Sequence, residues 1–338
     1  MEILKNQSLK RFNTFGVDVH ALYLAQIKDV EELQTLISSQ VYQENKVLVL
    51  GGGSNILFKG SYKGLVLKTD IQGIDLAWED QHYYYVSAKA GEDWHKFVLK
   101  TIEQGWQGLE NLSLIPGTVG AAPIQNIGAY GVEVGNHIHS VNTISLVDGK
   151  RRSFSTDECK FGYRNSIFKQ DLKGEYLIYE VVFKLNKKPK YNITYAALKD
   201  FLQQHNVKKA TAQSISEAVI QIRKSKLPDP TEIGNCGSFF KNPVVTKEQF
   251  QSLLEQYPTM PHYHVSNNEV KIPAGWLIEK CGFKGKKVGQ VGTYEKQALV
   301  LINLGSATGK DAYDFAQNII LTVEENFDIK LHPEVNII

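Results

Sequence analysis

Between Ile115 and Gly131 the chain carries four glycines and two prolines and no charged side chain. An ordinary surface loop of that length is more polar, because most of its groups face water. Small, apolar, backbone-exposing residues suit a wall against which a flat, largely apolar ring system packs. A buried structural crossover fits the same composition. A second glycine cluster, Gly51-Gly52-Gly53-Ser54-Asn55, follows the apolar run Val47-Leu48-Val49-Leu50, which reads as a strand buried on both faces. Three glycines there let backbone N–H groups approach a diphosphate closely, and Ser54 and Asn55 add donors. The cluster matches neither Gly-x-Gly-x-x-Gly nor a loop ending in Gly-Lys-Ser/Thr, which argues against a Rossmann or Walker site. Alone it could be a tight turn; beside the first stretch it favours a large nucleotide cofactor.

At 338 residues the chain needs more than one core. Its 38 basic and 36 acidic side chains leave a net charge of +2, so no general field draws it to nucleic acid or membrane. An anionic ligand must be held by local cations and backbone amides. Cys159, Cys236 and Cys281 lie far apart, with no Cys-x-x-Cys or Cys/His cluster for zinc or a disulfide framework. No signal-peptide core or membrane-length apolar run is present, so a reduced, cytoplasmic protein is expected.

Periodicity predicts a small α/β lobe over roughly the first 70 residues, with a helix opened by Asp29 and Glu32 and a strand at Leu65–Leu67. Strands are expected at Tyr83–Val86, 141–147 and 177–185, and a helix from Trp94 that stops at Gly105. Helices are expected at 196–204 and 215–224, the second opened by Ser214 and Glu217 as a capping box. Lys226-Leu227-Pro228-Asp229-Pro230 reads as a boundary. Beyond it, a more helical region holds helices capped by Thr246 with Gln249 and by Thr308 with Asp311, around the strand Leu299–Ile302.

Three further motifs bear on chemistry. Arg164, within Phe161-Gly162-Tyr163-Arg164-Asn165-Ser166-Ile167-Phe168-Lys169, could clamp a carboxylate or stabilise developing negative charge; a structural ion pair is the plainer reading. Ser238, within Gly234-Asn235-Cys236-Gly237-Ser238-Phe239-Phe240-Lys241-Asn242-Pro243, lacks a Gly-x-Ser-x-Gly elbow. It could still act as a proton donor, or be a turn serine. In the tail, alternation puts His332 and Glu334 on one face, but no third metal ligand accompanies them, and Pro333 implies an edge or interrupted strand.

Five of these motifs, in this order, resemble one family, the UDP-N-acetylenolpyruvoylglucosamine reductases. They are Gly-Gly-Gly-Ser-Asn, the Pro-Gly-Thr-Val-Gly to Gly-Ala-Tyr-Gly stretch, Tyr-Arg-Asn-Ser-Ile-Phe-Lys, Lys-Leu-Pro-Asp-Pro and Gly-Ser-Phe-Phe-Lys-Asn-Pro. The likeness runs from Asn13-Thr14-Phe15-Gly16 to Pro333-Glu334-Val335. It implies an α+β chain of three domains. Residues 1–70 and 71–226, completed by 329–338, would form a FAD-binding unit similar to that of vanillyl-alcohol-oxidase-type flavoproteins. Residues 227–328 would form an α/β domain that closes over the UDP-sugar.

The resemblance places FAD on Gly51, Gly52, Gly53, Ser54 and Asn55, and on Gly117, Thr118, Gly120, Ala122, Ile127 and Gly128. Tyr195 resembles the tyrosine that, in the longer branch of the family, closes over the substrate diphosphate. Lys226, Asn242 and Gln297 match substrate-binding positions. In the implied reaction NADPH reduces FAD and leaves, and flavin N5 delivers hydride to C3 of UDP-N-acetylglucosamine enolpyruvate. Arg164 and Glu334 stabilise the enolate-like intermediate through its carboxylate, and Ser238 protonates C2. Glu334 must be protonated or hydrogen-bonded to help an anion.

The implied partners are NADPH and the UDP-sugar, without nucleic acid, membrane, metal or an obligate protein partner. Two departures stand out. Ala121-Ala122 replaces two serines found in some relatives, which removes hydroxyl contacts to the FAD diphosphate that backbone amides could replace. Cys236, where related chains can have alanine, could make the enzyme sensitive to thiol reagents, although with no partner or cation beside it inert packing is the plainer reading. A flavin oxidase of the same fold, acting on an alcohol or lactone, is the alternative and would need no UDP site.

Overall fold

Val47–Leu50 and Leu65–Lys68 pair in parallel in the computed structural model, which describes residues 1–338. They belong to a four-stranded sheet in the order Ile3–Ser8, His20–Ile27, Tyr62–Thr69, Val47–Leu50. Leu65, Val66 and Leu67, on the inner strand, are fully buried. Val47, Leu48 and Val49 are only half-buried, which corrects the expectation of a strand covered on both faces. Their strand is the sheet's edge and has one neighbour instead of two. The helix Val30–Ile37 packs Val30, Leu33, Leu36 and Ile37 into the same core, and the Asp29 side chain caps it by accepting from the Glu32 N–H.

A five-stranded antiparallel sheet follows, in the order Arg151–Ser155, Ile138–Ser145, Tyr176–Asn186, Tyr83–Lys89, Ile74–Glu79. Ile74–Glu79 is absent from the strands expected from sequence, although Ile74, Leu76 and Trp78 alternate with Asp75, Ala77 and Glu79; it forms the sheet's outer strand and is mostly exposed. Behind the sheet, the helix Trp94–Glu103 sets Trp94, Phe97 and Val98 against Phe183 and the glycine-rich stretch. Gly105 ends it with φ of +72°. A smaller core joins the helices Ala196–Gln204 and Ala212–Lys226 through Leu198, Leu202, Ile215 and Val219. The second of these begins three residues earlier than the 215–224 reading. Thr211 and Ser214 bond each other's N–H, so the Ser214–Glu217 box is not the cap.

The C-terminal region holds more strand than its helical periodicity implied. An antiparallel sheet runs Gly234–Ser238, Gln297–Asn303, Val291–Tyr294, Lys287–Val288, beside a three-stranded one formed by Val244–Thr246, Glu269–Lys271 and Tyr263–His264. Thr246 caps Lys247–Gln256, and Thr308 with Asp311 makes a reciprocal capping box for Gly309–Phe327. The chain divides into two compact units. The first comprises residues 1–7, 21–52 and 63–225; the second comprises 8–20, 53–62 and 226–338. No helix is long and apolar enough to cross a membrane.

Candidate functional site

In the first unit, Gly51 and Gly52 meet the glycine-rich stretch. A Cβ on Gly52 would stand 2.9 Å from the Gly117 Cα, and one on Gly51 would stand 2.8 Å from Thr118 Oγ1. Only residues without side chains allow this approach. The stretch is stitched to residues 90–94: the Trp94 N–H donates to Gly117 O at 3.1 Å, Val119 N–H to Glu92 O at 2.9 Å and Gly120 N–H to Ala90 O at 3.0 Å. Thr118 is extended and 8% exposed, and its Oγ1 is buried with no hydrogen-bond partner. An orphaned hydroxyl facing a glycine cradle fits a polar group such as the FAD diphosphate. Ala121 lies beside Gly51, while Ala122 is 1% exposed and packs into the core, so only the first of the two alanines faces the cluster. Ile127 leans on the same core, and its N–H donates to Ala122 O at 3.1 Å.

Arg164 sits on a two-residue turn closed by paired Gly162 and Asn165 backbone bonds, with φ of +53°. Its Nη2 donates to Gly128 O at 2.7 Å, so the arginine is laid against the glycine-rich stretch. Sequence reasoning missed the residue that joins these two motifs, Asn126. It is 1% exposed; its amide donates to Glu133 Oε2 and Gly162 O, and its Oδ1 accepts from Gly135 N–H. The available signal was a polar amide inside an otherwise apolar run. Tyr195 precedes the helix Ala196–Gln204, is 43% exposed and meets Tyr130 edge to face at 5.2 Å. Burial pushes the Tyr130 phenol above its usual range; Arg223 pulls the other way and Tyr195 adds to the rise.

The second unit gathers the other half of the predicted residues. Gly53 has φ of +65° and lies against the Phe12 carbonyl, while Thr14 joins this turn to a strand: its N–H donates to Gly53 O and its Oγ1–H to Asn235 O. Thr14 was read only as part of a family motif; here it braces Gly53 to the strand that carries Ser238. Within that strand the register slips between Asn235 and Ser238, and Gly237 takes φ of +71°. Such a bulge re-aims the next side chain, and Ser238 is exposed while its neighbours Phe239 and Phe240 are buried.

The tail runs antiparallel beside this segment: Glu334 N–H donates to Phe239 O at 2.8 Å and Lys241 N–H to His332 O at 2.9 Å. Glu334 is half-buried, and its carbonyl accepts from the Asn55 amide at 3.4 Å. Ser238, Glu334 and the Ser54–Asn55 turn therefore share one neighbourhood. Asn242 Oδ1 caps the Ala274 N–H at 2.9 Å, and Gln297 Oε1 lies near Gly275, so these two substrate candidates converge on the start of the helix Ala274–Lys280. Lys226 is exposed at the end of its helix. No group of three or more His, Cys, Asp or Glu side chains is arranged to hold a metal ion. Cys236 is 3% exposed, and burial pushes its thiol up to about 12, which agrees with inert packing at this position.

Comparison with known proteins decides the family. Residues 229–338 match the family model of the UDP-N-acetylenolpyruvoylglucosamine reductase C-terminal domain, and residues 21–155 match an FAD-binding domain. The chain is 45% identical to the UDP-N-acetylenolpyruvoylglucosamine reductase of Flavobacterium johnsoniae, with both chains covered in full. It is 46% identical to that of Chromobacterium violaceum, over 96% of each. The chain belongs to this reductase family. As a family member it is a flavin-dependent oxidoreductase with FAD as its cofactor. Its α+β fold agrees with the crystal structure of the Thermus caldophilus reductase, at a TM-score of 0.68 and 23% identity over 99% of this chain and 98% of the other.

Proposed function

We infer that this reductase converts UDP-N-acetylglucosamine enolpyruvate to UDP-N-acetylmuramate, a step of peptidoglycan synthesis, with NADPH as reductant. Bound FAD supplies hydride to C3 of the enolpyruvyl group. The chain's own residues then handle one carboxylate and one proton. Arg164, a fixed cation, draws charge from the enolate-like intermediate into its carboxylate. Glu334 assists as a hydrogen-bonding partner, in its protonated form where it faces the anion. Ser238 gives its hydroxyl proton to C2.

Gly51 to Asn55, with Gly117, Thr118, Gly120 and Gly128, hold the cofactor, and Ala122 and Ile127 back that wall from the core side. Tyr195, Lys226, Asn242 and Gln297 hold the UDP-sugar. In this division of labour residues 1–70 and 71–226, completed by 329–338, serve FAD, and 227–328 serve the sugar nucleotide. The reaction takes place in the cytoplasm.

The observation that carries the reading is the bulge at Gly237, which exposes Ser238 while the tail strand brings Glu334 to the adjacent residue. A hydroxyl and a carboxyl held by backbone pairing are positioned before any ligand arrives. The test is NADPH oxidation by the purified yellow protein with and without the enolpyruvyl sugar nucleotide. Turnover that requires that substrate supports the reading. Turnover that ignores it and consumes oxygen would replace it with the oxidase alternative.

A further inference from the structure

The start of the helix Trp94–Glu103 holds the entry to the glycine-rich stretch at three successive points. Trp94 Nε1–H donates to Leu112 O at 2.9 Å, His95 Nδ1 accepts from Leu114 N–H at 3.0 Å, and the Trp94 backbone N–H donates to Gly117 O. Leu114 between these points has φ of +59°, a left-handed conformation that a leucine adopts only when its surroundings impose it. The next peptide group, on the other side of the Leu114 Cα, is held too, since Arg223 Nε–H donates to Leu114 O at 3.1 Å. Leu114 is thus gripped through both backbone groups, one by an imidazole and one by a guanidinium. Immediately after it come Ile115 and Pro116, and then Gly117 and Thr118, the residues facing Gly51 and Gly52.

We propose that His95 is a positioning residue for the cofactor: its neutral imidazole, working with Arg223, locks Leu114 in the left-handed turn and so sets the path of Ile115–Thr118 along the FAD diphosphate. Only a ring whose Nδ1 is unprotonated accepts the Leu114 N–H. His95 is half-buried, and burial together with Arg223 and Lys224 from the helix Ala212–Lys226 holds its proton affinity below the ordinary imidazole value, against the opposing pull of Asp93. The lock is therefore closed at neutral pH. In acid, a proton binds the opened state better than the closed one, so acid favours opening. The inference rests on the flavin reading and adds to it a pH dependence of cofactor retention.

The test is FAD affinity, measured by flavin fluorescence on apoprotein between pH 5 and 8, for the wild type and three variants. At pH 7, His95→Ala leaves the Leu114 N–H without its acceptor and weakens FAD about tenfold. His95→Asn places an amide oxygen where Nδ1 stood and keeps near-wild-type affinity at pH 7. His95→Gln carries its polar atoms one bond further out and behaves like the alanine variant. Below about pH 6 the wild type loses FAD progressively, whereas His95→Asn, which does not titrate, holds it. Wild-type affinity in both His95→Ala and His95→Gln would overturn the proposal, as would an acid loss in His95→Asn equal to the wild type's. If His95→Ala does not fold, the Asn and Gln pair, alike in size to histidine, still decides. A wild type that binds no FAD at pH 7 would instead sink the flavin reading itself.

Discussion

The unpartnered hydroxyl of Thr118 makes a prediction with two signs. Thr118→Val keeps the β-branched shape and the extended backbone, with φ of −122° and ψ of 159°, and replaces the buried oxygen with a methyl group. In the apoprotein that oxygen has no hydrogen-bond partner, and an unsatisfied buried hydroxyl costs about 1–3 kcal/mol. Removing it should raise apoprotein stability by about 1–2 kcal/mol. For a unit of about 200 residues that corresponds to roughly 3–6 °C in melting temperature. Binding should move the other way. A hydrogen bond to a charged phosphate contributes about 1.5–3 kcal/mol, so FAD affinity should fall roughly 10- to 100-fold. Thermal melts of the apoprotein and fluorescence titration with FAD measure the two effects separately, with Thr118→Ser as the control that keeps the hydroxyl. A variant that melts below the wild type yet binds FAD normally would refute the reasoning, because the oxygen would then serve the fold and not the ligand.

Other outcomes follow from the same geometry. Ser238→Ala should leave reduction of the flavin by NADPH intact and lower reduction of the sugar nucleotide by about 10²–10⁴; stopped-flow measurement of the two half-reactions separates them, and equal loss of both would exclude the proton-donor role. At Gly237, φ is +71° with open space around the missing Cβ, so Gly237→Ala should cost about 1–2 kcal/mol through backbone strain alone, read from urea midpoints. In timed labelling of the native protein at pH 7, Cys281, which is partly exposed, should react before Cys159 and Cys236, whose buried thiols are both pushed up to about 12. Burial lowers His137 from its usual value to about 4, so the unfolded chain takes up a proton there first. Stability should decline from about pH 6.5 toward pH 4 by up to about 3 kcal/mol, and His137→Gln should flatten that slope in urea midpoints against pH.

Features that follow from local chemistry were legible before the fold was known. Capping residues such as Asp29 and Thr308 announce helix starts because the N–H each one caps lies only three residues on. The two glycine motifs were visible because a missing side chain shows in sequence. What could not be read was contact between distant segments. Nothing local predicts that Thr14 joins Gly53 to Asn235, or that Asn126 ties its own stretch to Gly162. The same holds for the Val47–Leu50 strand: its composition reports hydrophobicity, while its half-burial reflects its place at the edge of a sheet. His95 left no trace either, since a histidine on an amphipathic helix is unremarkable until Leu114 is seen to turn beneath it.

The second unit is assembled from both ends of the polypeptide, and this governs the order in which it can form. Asn303 donates to Phe15 O, a Cβ on Gly309 would meet the Phe58 carbonyl at 1.6 Å, and Asn336–Ile337 pairs in parallel with Ile56–Leu57. During synthesis, residues 8–20 and 53–62 emerge early and must wait for partners more than 200 positions later. Releasing residues 226–338 as a separate fragment would therefore strip them of Phe15, Phe58 and the strand that receives the tail. For this chain, trimming the first twenty residues is an injury to the last hundred.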